Sequence, residues 1–530
     1  MKRLGIALLV LTLMGGAYAE LQSVEVGGSI RIRGRYWRNT YANGGGGPQV
    51  NRLPGVFPGR ALGLFGYNTR FDFDDRGNDL KFFEQKTRLG VTACFTSNVS
   101  AHIVLESFDV WGEDFRSNYL TGADARANSN NDVEFLYSYI RAQDLFGTPL
   151  NLQLGRQDLK QGKGWLVSDV ISACLSLSFD AVRLQYDTDQ FLVDAWWAKL
   201  ADNSPIEEDG DVDFYGVYGT YRGIPDFSLS AYWMFVRDAS ALNDTQLGLA
   251  GEWLEDLFGV DQYEGTELHT LGTRFNGQRG AWDLDLEAAY QFGEAGHAGS
   301  GFRQWFYGDD GAEYDAWGAD LELGYTLSMA WTPRLFIGGA YFSGEDERDV
   351  SFLEWLNPFR NAPGSGDPWE GFSFWDRPQA SLSFNRLFSG TVYSWIFDVG
   401  QDTSNFHTIR GGVEVHPTDA VTGFLQVAYF GANETTGLSP WVDIAGQRFP
   451  VLPQLSFWTQ ESDDHLGTSI FAWINYAYTK DINIRVGIEH MFIGDGLAEG
   501  NFINRNGFEF TGGSDDDDAQ YIFVDLRTDF

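Results

Sequence analysis

The 530-residue chain is poor in cysteine, with Cys94 and Cys174 alone. Neither stands in metal-ligand spacing, so a zinc site is unsupported and a disulfide is neither implied nor excluded. Proline is scarce, at 15 residues. No linker, change of composition or internal repeat divides the chain, so one large domain is expected over residues 20–530. Beyond the first residues no apolar run approaches the roughly 18 to 20 uninterrupted positions that a membrane helix requires. If this chain crosses a membrane, it crosses with strands. Basic residues are few, 37 Lys and Arg against 74 Asp and Glu, for a net charge of -37. That excess of acid argues against a nucleic-acid binder and reads first as a solvated surface. The seven histidines, His102, His269, His297, His407, His416, His465 and His490, are scattered, and HExxH, GxSxG and P-loop patterns are absent. No catalytic residue and no cofactor is expected, and the chain reads as a non-enzyme.

Strand and turn formers are plentiful: 42 Phe, 23 Tyr, 18 Trp and 63 Gly. At the N-terminus, Lys2 and Arg3 precede an apolar run from Leu4 to Leu13 and the small-x-small triplet Ala17-Tyr18-Ala19. This is the pattern of a secretory signal over residues 1–19.

From residue 20 onward, alternating segments of about ten residues recur, and the gaps between them switch between short and long. TSN at 96–98, DTDQ at 187–190, GIPD at 223–226, HPTDA at 416–420 and TKD at 479–481 are short. Residues 39–80, 110–131, 238–265, 293–313, 343–372, 431–465 and 494–518 form long ones. Tight turns at one end and long loops at the other are the rhythm of outer-membrane barrels.

Side-chain parity then assigns faces. In AWDLDLEAAYQF (281–292), Trp282, Leu284, Leu286, Ala288, Tyr290 and Phe292 share one face, and Asp283, Asp285, Glu287 and Gln291 the other. In SIRIRGRYW (29–37), Arg31, Arg33 and Arg35 alternate with Ile30, Ile32, Gly34 and Tyr36. A soluble sandwich would wet those arginines, whereas a barrel would turn them into its lumen. The chain ends QYIFVDLRTDF, an amphipathic strand closing on Phe530 that resembles the C-terminal assembly signal of bacterial outer-membrane barrels.

Several segments, in order, resemble the alginate export family of bacterial outer-membrane porins. They are LQLGRQDL (152–159), SFDAVRLQY (178–186), TLGTRFNG (270–277), WDLDLEAAYQFG (282–293), PRLFIGGAYFSGEDE (333–347) and, more loosely, residues 466–495. The resemblance implies an all-β, transmembrane antiparallel barrel of about 18 strands, within roughly 16 to 20. It also implies an arginine-rich lumen that passes a polyanionic polysaccharide such as alginate. Parity places Arg31, Arg33, Arg35, Lys86, Arg88, Arg183, Arg274, Arg410, Arg485 and Arg527 on the non-lipid face, and these are the candidate lumen residues. Asp283, Asp285, Glu287, Asp320, Glu322, Glu414, Glu489 and Asp525 share that face, so the arginines could instead brace a general porin of other selectivity. A barrel-embedded hydrolase and a surface-binding protein are further alternatives. The residues 372–400 could form an extra wall hairpin, but Pro378 and the nearby FNRLF resemble a loop of that family, and 18 strands are expected. Asp515, Asp516, Asp517 and Asp518 offer oxygens for calcium but lack the spacing of a defined calcium loop. Expected partners are the acidic glycan, outer-membrane lipid and lipopolysaccharide, and the barrel assembly machinery at Phe530. Both termini are expected in the periplasm.

Overall fold

Strands with one apolar face need a solvent for that face, and a closed wall in lipid supplies it while leaving no sheet edge unpaired. In the computed structural model, described over residues 21–40, 79–111, 133–171, 175–202, 211–239, 266–294, 312–344, 380–399, 401, 403–435, 463–498 and 517–530 with short strand fragments between, the chain does this. The wall begins with β1 (Ser23–Arg38), β2 (Leu80–Thr96), β3 (Val99–Val110), β4 (Glu134–Ala142), β5 (Leu150–Gln157) and β6 (Phe179–Asp187). It continues through β7 (Phe191–Ala201), β8 (Val212–Ile224), β9 (Phe227–Asp238), β10 (Thr266–Arg279), β11 (Trp282–Glu294) and β12 (Ala312–Thr326). It ends with β13 (Arg334–Phe342), β14 (Phe406–Thr418), β15 (Val421–Ala432), β16 (His465–Ala477), β17 (Ile482–Ile493) and β18 (Ala519–Asp529). Each strand pairs antiparallel with its sequence neighbours, and β18 pairs with β1, Arg527 opposite Arg31, closing an 18-stranded barrel.

The apolar face points outward. Ile337 and Ile409 are 60% and 61% exposed, and Trp282, Leu286 and Tyr290 of β11 are also exposed, while Glu287 of the same strand is 2% exposed. The alternation read from 281–292 therefore faces as expected. Connections at one end are two to seven residues long. Two of them turn through Asp226 (φ 69°) and Gly280 (φ 64°), the left-handed conformation that tight hairpins use. Phe530 lies at this end, its backbone exchanging hydrogen bonds of 2.8 and 3.0 Å with Gly28.

Long connections leave the other end, and two of them turn into the barrel. Residues 158–169, between β5 and β6, and residues 383–405, before β14, are largely buried. Among its described residues the second segment contributes no wall hairpin. Ala380–Leu382 pairs briefly in parallel with residues 312–314 of β12, and the chain then enters the interior. The two segments join each other: Ser168 N–H donates to Phe388 O, Phe388 N–H to Leu166 O and Gly390 N–H to Gly164 O. Around them Trp165, Phe342, Phe384, Phe406 and Phe430 are fully buried, each worth about 1.5–3 kcal/mol of transfer free energy. The hydrophobic core of this protein thus sits inside the barrel.

Candidate functional site

The wall of the interior is built by strand parity. On β1, Arg31, Arg33 and Arg35 lie on the same face as Trp37, which is 0% exposed. Arg31 Nε donates to Asp525 of β18 at 2.8 Å, and Arg33 pairs with Glu84, its register partner on β2. Arg35 Nη1 lies 3.6 Å from the same Glu84, Arg35 Nε donates to the Tyr521 hydroxyl at 3.1 Å, and the guanidinium sits 4.3 Å from the Trp37 ring centre. On β2, Arg88 donates to Glu106 of β3 at 2.7 Å and to the Ser176 hydroxyl at 2.6 Å, and Lys86 reaches Ser176 at 2.9 Å. Arg485 of β17 rests 4.5 Å from the Trp473 ring centre, and among the described residues it makes no ion pair.

Across the barrel, carboxylates are denser. Arg274 of β10 donates to Asp285 at 3.1 Å, and Arg334 of β13 donates to Asp283 at 3.0 Å and Glu322 at 2.8 Å. Arg410 of β14 reaches Asp320 at 3.2 Å and Glu322 at 3.4 Å. Arg183 of β6 donates to Asp194 of β7 at 2.9 Å. Arg527 differs from these: it pairs with Asp529 at 2.9 Å near the short-turn end, where both side chains are about half exposed. The predicted basic residues thus occupy many staves, and carboxylates from adjacent strands hold most of them in place. A charge-assisted pair of this kind fixes the planar guanidinium yet leaves other N–H groups to donate elsewhere.

The inward segments carry residues that strand parity does not reveal. Lys163 pairs with Asp320 and lies 3.5 Å from Asp285, bringing a cation to the acidic wall. Tyr393 donates to Asp320 at 2.8 Å and receives the Trp165 indole N–H at 3.1 Å. Inside the segment, Arg386 donates to Asp398 at 2.6 Å, both side chains 0% exposed. On the β17 side, Glu489 accepts from the Trp395 N–H at 2.7 Å and the Ser394 hydroxyl at 2.9 Å. On the β11 side, Gln291 exchanges bonds of 2.7 Å with the Asn385 backbone. One body therefore spans the interior, tied to β11, β12 and β17 and, through the Trp37 indole N–H on the Trp395 carbonyl, to β1.

The sequence pattern of the alginate export family matches residues 63–506. The chain belongs to the alginate export family. No curated protein matches the chain. Among solved structures it is similar to OccAB3 of Acinetobacter baumannii, at 9% identity over 96% of this chain and 100% of that one with a TM-score of 0.48. It is also similar to OccK11 (OpdR) of Pseudomonas aeruginosa, at 7% identity over 97% and 98% of the two chains with a TM-score of 0.47. Family and closed barrel together make this member of the alginate export family an outer-membrane channel.

Of the other sequence expectations, residues 1–19, Cys174, Asp515 and Asp516 lie outside the described residues. Cys94 stands on β2. The Asp518 carboxylate faces the His490 imidazole at 3.3 Å, and the Asp517 and Asp518 carbonyls accept from Asn39. No group of three or more potential metal ligands occurs among the described residues.

Proposed function

We propose that this channel passes an anionic polysaccharide or oligosaccharide of uronate type along its basic wall. The observation that carries the reading is the charge on neighbouring staves β17, β18, β1, β2 and β3. Away from the short-turn end, where Glu25, Arg527 and Asp529 stand, Arg485, Arg31, Arg33, Arg35, Lys86 and Arg88 face Asp525, Glu84, Glu106 and Glu489, so six cations meet four carboxylates. A polymer carboxylate can exchange for a wall carboxylate at such guanidinium groups. Many moderate contacts of this kind let a chain advance without trapping it. A positive wall also raises the local concentration of anions.

Pairing of most arginines with wall acids supports a second reading, a general porin of other selectivity in which the arginines brace the barrel. In either case the protein acts as a passive conduit and not as an enzyme. Residues 1–19 serve as a signal peptide and residues 20–530 as one barrel domain. The short turns and both termini face the periplasm, Phe530 presents the closing strand to the assembly machinery, and the outer wall meets lipid and lipopolysaccharide.

Reconstitution in a planar bilayer with a salt gradient distinguishes the readings. An anion-favouring reversal potential, together with blockade by alginate oligomers, is expected for the glycan channel. Cation preference without blockade would leave the general porin.

A further inference from the structure

A file of near-parallel aromatic rings runs along the interior face from β13 toward β1. Phe336 of β13 and Phe424 of β15 have centroids 5.5 Å apart and planes 16° apart, and Phe424 and Trp473 of β16 follow at 5.2 Å and 9°. Guanidinium groups stand at both ends: Arg334 lies 5.5 Å from the Phe336 centroid and Arg485 lies 4.5 Å from that of Trp473. The staves between are cleared for the rings. A Cβ at Gly412 of β14 would lie 2.6 Å from Phe336 Cζ, and one at Gly487 of β17 would lie 2.4 Å from the Phe523 ring. Past Gly487 stands a separate group, Phe523 and Tyr521 of β18, 5.6 Å and 21° apart, with Trp395 of the inward segment at 5.3 Å and 17° from Tyr521.

Packing explains Phe336 and Tyr521, which are buried. It does not explain why Phe424 and Trp473 keep part of their surface open inside the barrel, with the exposed Arg485 beside them. Two neighbouring, partly open rings beside a cation on the inner face offer a contiguous surface to an occupant. A pyranose ring fits both parts of the surface. Its axial C–H bonds make an apolar face that lies against an aromatic ring, and the ring carboxylate of a uronate projects from the rim, where a guanidinium can take it bidentately.

We propose that Phe424 and Trp473, flanked by Arg334 and Arg485, form a contact site for the sugar rings of the transported acidic glycan. The site rests on the channel reading above and names what that channel holds. Successive sugars step along the file by exchanging one ring face for the next. Arg485, which makes no ion pair among the described residues, receives the uronate carboxylate.

The test is the residence time of purified alginate oligomers, read as current blockades in single channels. Replacing Phe424→Leu and Trp473→Leu together keeps apolar bulk and removes the flat faces. Blockades should shorten by about tenfold, equivalent to about 1.4 kcal/mol. Trp473→Tyr should restore much of the residence time, and Tyr478→Leu, at an exposed aromatic in the turn after β16, should leave it alone. Heat-modifiable migration confirms assembly, and if the double variant does not assemble, Trp473→Leu alone carries the comparison. Blockades of unchanged length in the Leu variants would overturn the contact site while leaving the channel reading intact. A wild-type channel that conducts salt but shows no blockade by alginate oligomers would overturn the reading of a glycan-passing channel, and the site with it.

Discussion

The indole Nε1 of Trp37, on the first wall strand, donates to the main-chain carbonyl of Trp395 at 2.8 Å. On the neighbouring side Glu489 accepts the Trp395 N–H at 2.7 Å, so one residue of the inward segment is held by two staves at once. Removing the acceptor leaves a buried N–H and a hydroxyl unsatisfied, at a cost of about 1–3 kcal/mol. Glu489→Ala is therefore expected to loosen residues 383–405 and to raise or destabilise the single-channel conductance. A conductance identical to wild type would mean that this clasp does not control the passage.

The inward segment also has its own lock. Arg386 and Asp398 are fully buried, and deleting one partner of such a pair costs about 3–5 kcal/mol because the other charge stays uncompensated. Asp398→Ala should expose residues 383–405 to protease from the long-connection end, while heat-modifiable migration shows an intact barrel. Loss of the barrel itself would show that the segment supports the wall as well as filling it.

Among the wall cations, Arg33 and Glu84 are nearly buried together. Changing Arg31, Arg33 and Arg35 to Ser should therefore be combined with Glu84→Gln, which avoids stranding that carboxylate. The combined variant is expected to assemble and to shift its reversal potential toward cations in a KCl gradient. An unmoved reversal potential in the assembled variant would reduce these arginines to wall-bracing partners.

Arg527 should behave differently from the other candidates. Its pair with Asp529 is 57% and 49% exposed, and such pairs contribute about 0–1 kcal/mol. Arg527→Ser is expected to leave both thermal unfolding of the barrel and the reversal potential within error of wild type. A selectivity loss as large as that of the β1 variant would place the narrowest charged zone at the short-turn end.

The wall was readable from sequence because a strand repeats every two residues, and Asp283, Asp285 and Glu287 declare their face against Leu284 and Leu286 without tertiary information. Arg334 escaped that reading although it shares a face with Phe336, since Pro333-Arg334 looks like the end of a turn. The interior was less legible. Residues 158–169 and 383–405 have no periodicity, and Trp165, Phe384 and Tyr393 look like any loop aromatics until the chain turns inward and packs them together. Arg386 and Asp398 meet because the segment doubles back, which spacing does not announce. Signs of charge at each wall position were predictable. Which carboxylate would hold which arginine depended on register, as in the diagonal reach of Arg31 to Asp525.

Flux of a defined glycan through the reconstituted protein tests the central claim most directly. Proteoliposomes should take up labelled alginate oligomers faster than neutral maltooligosaccharides of equal length, with the difference shrinking as salt screens the basic wall. Equal uptake of the two, or faster passage of the neutral chain at every ionic strength, would contradict the account.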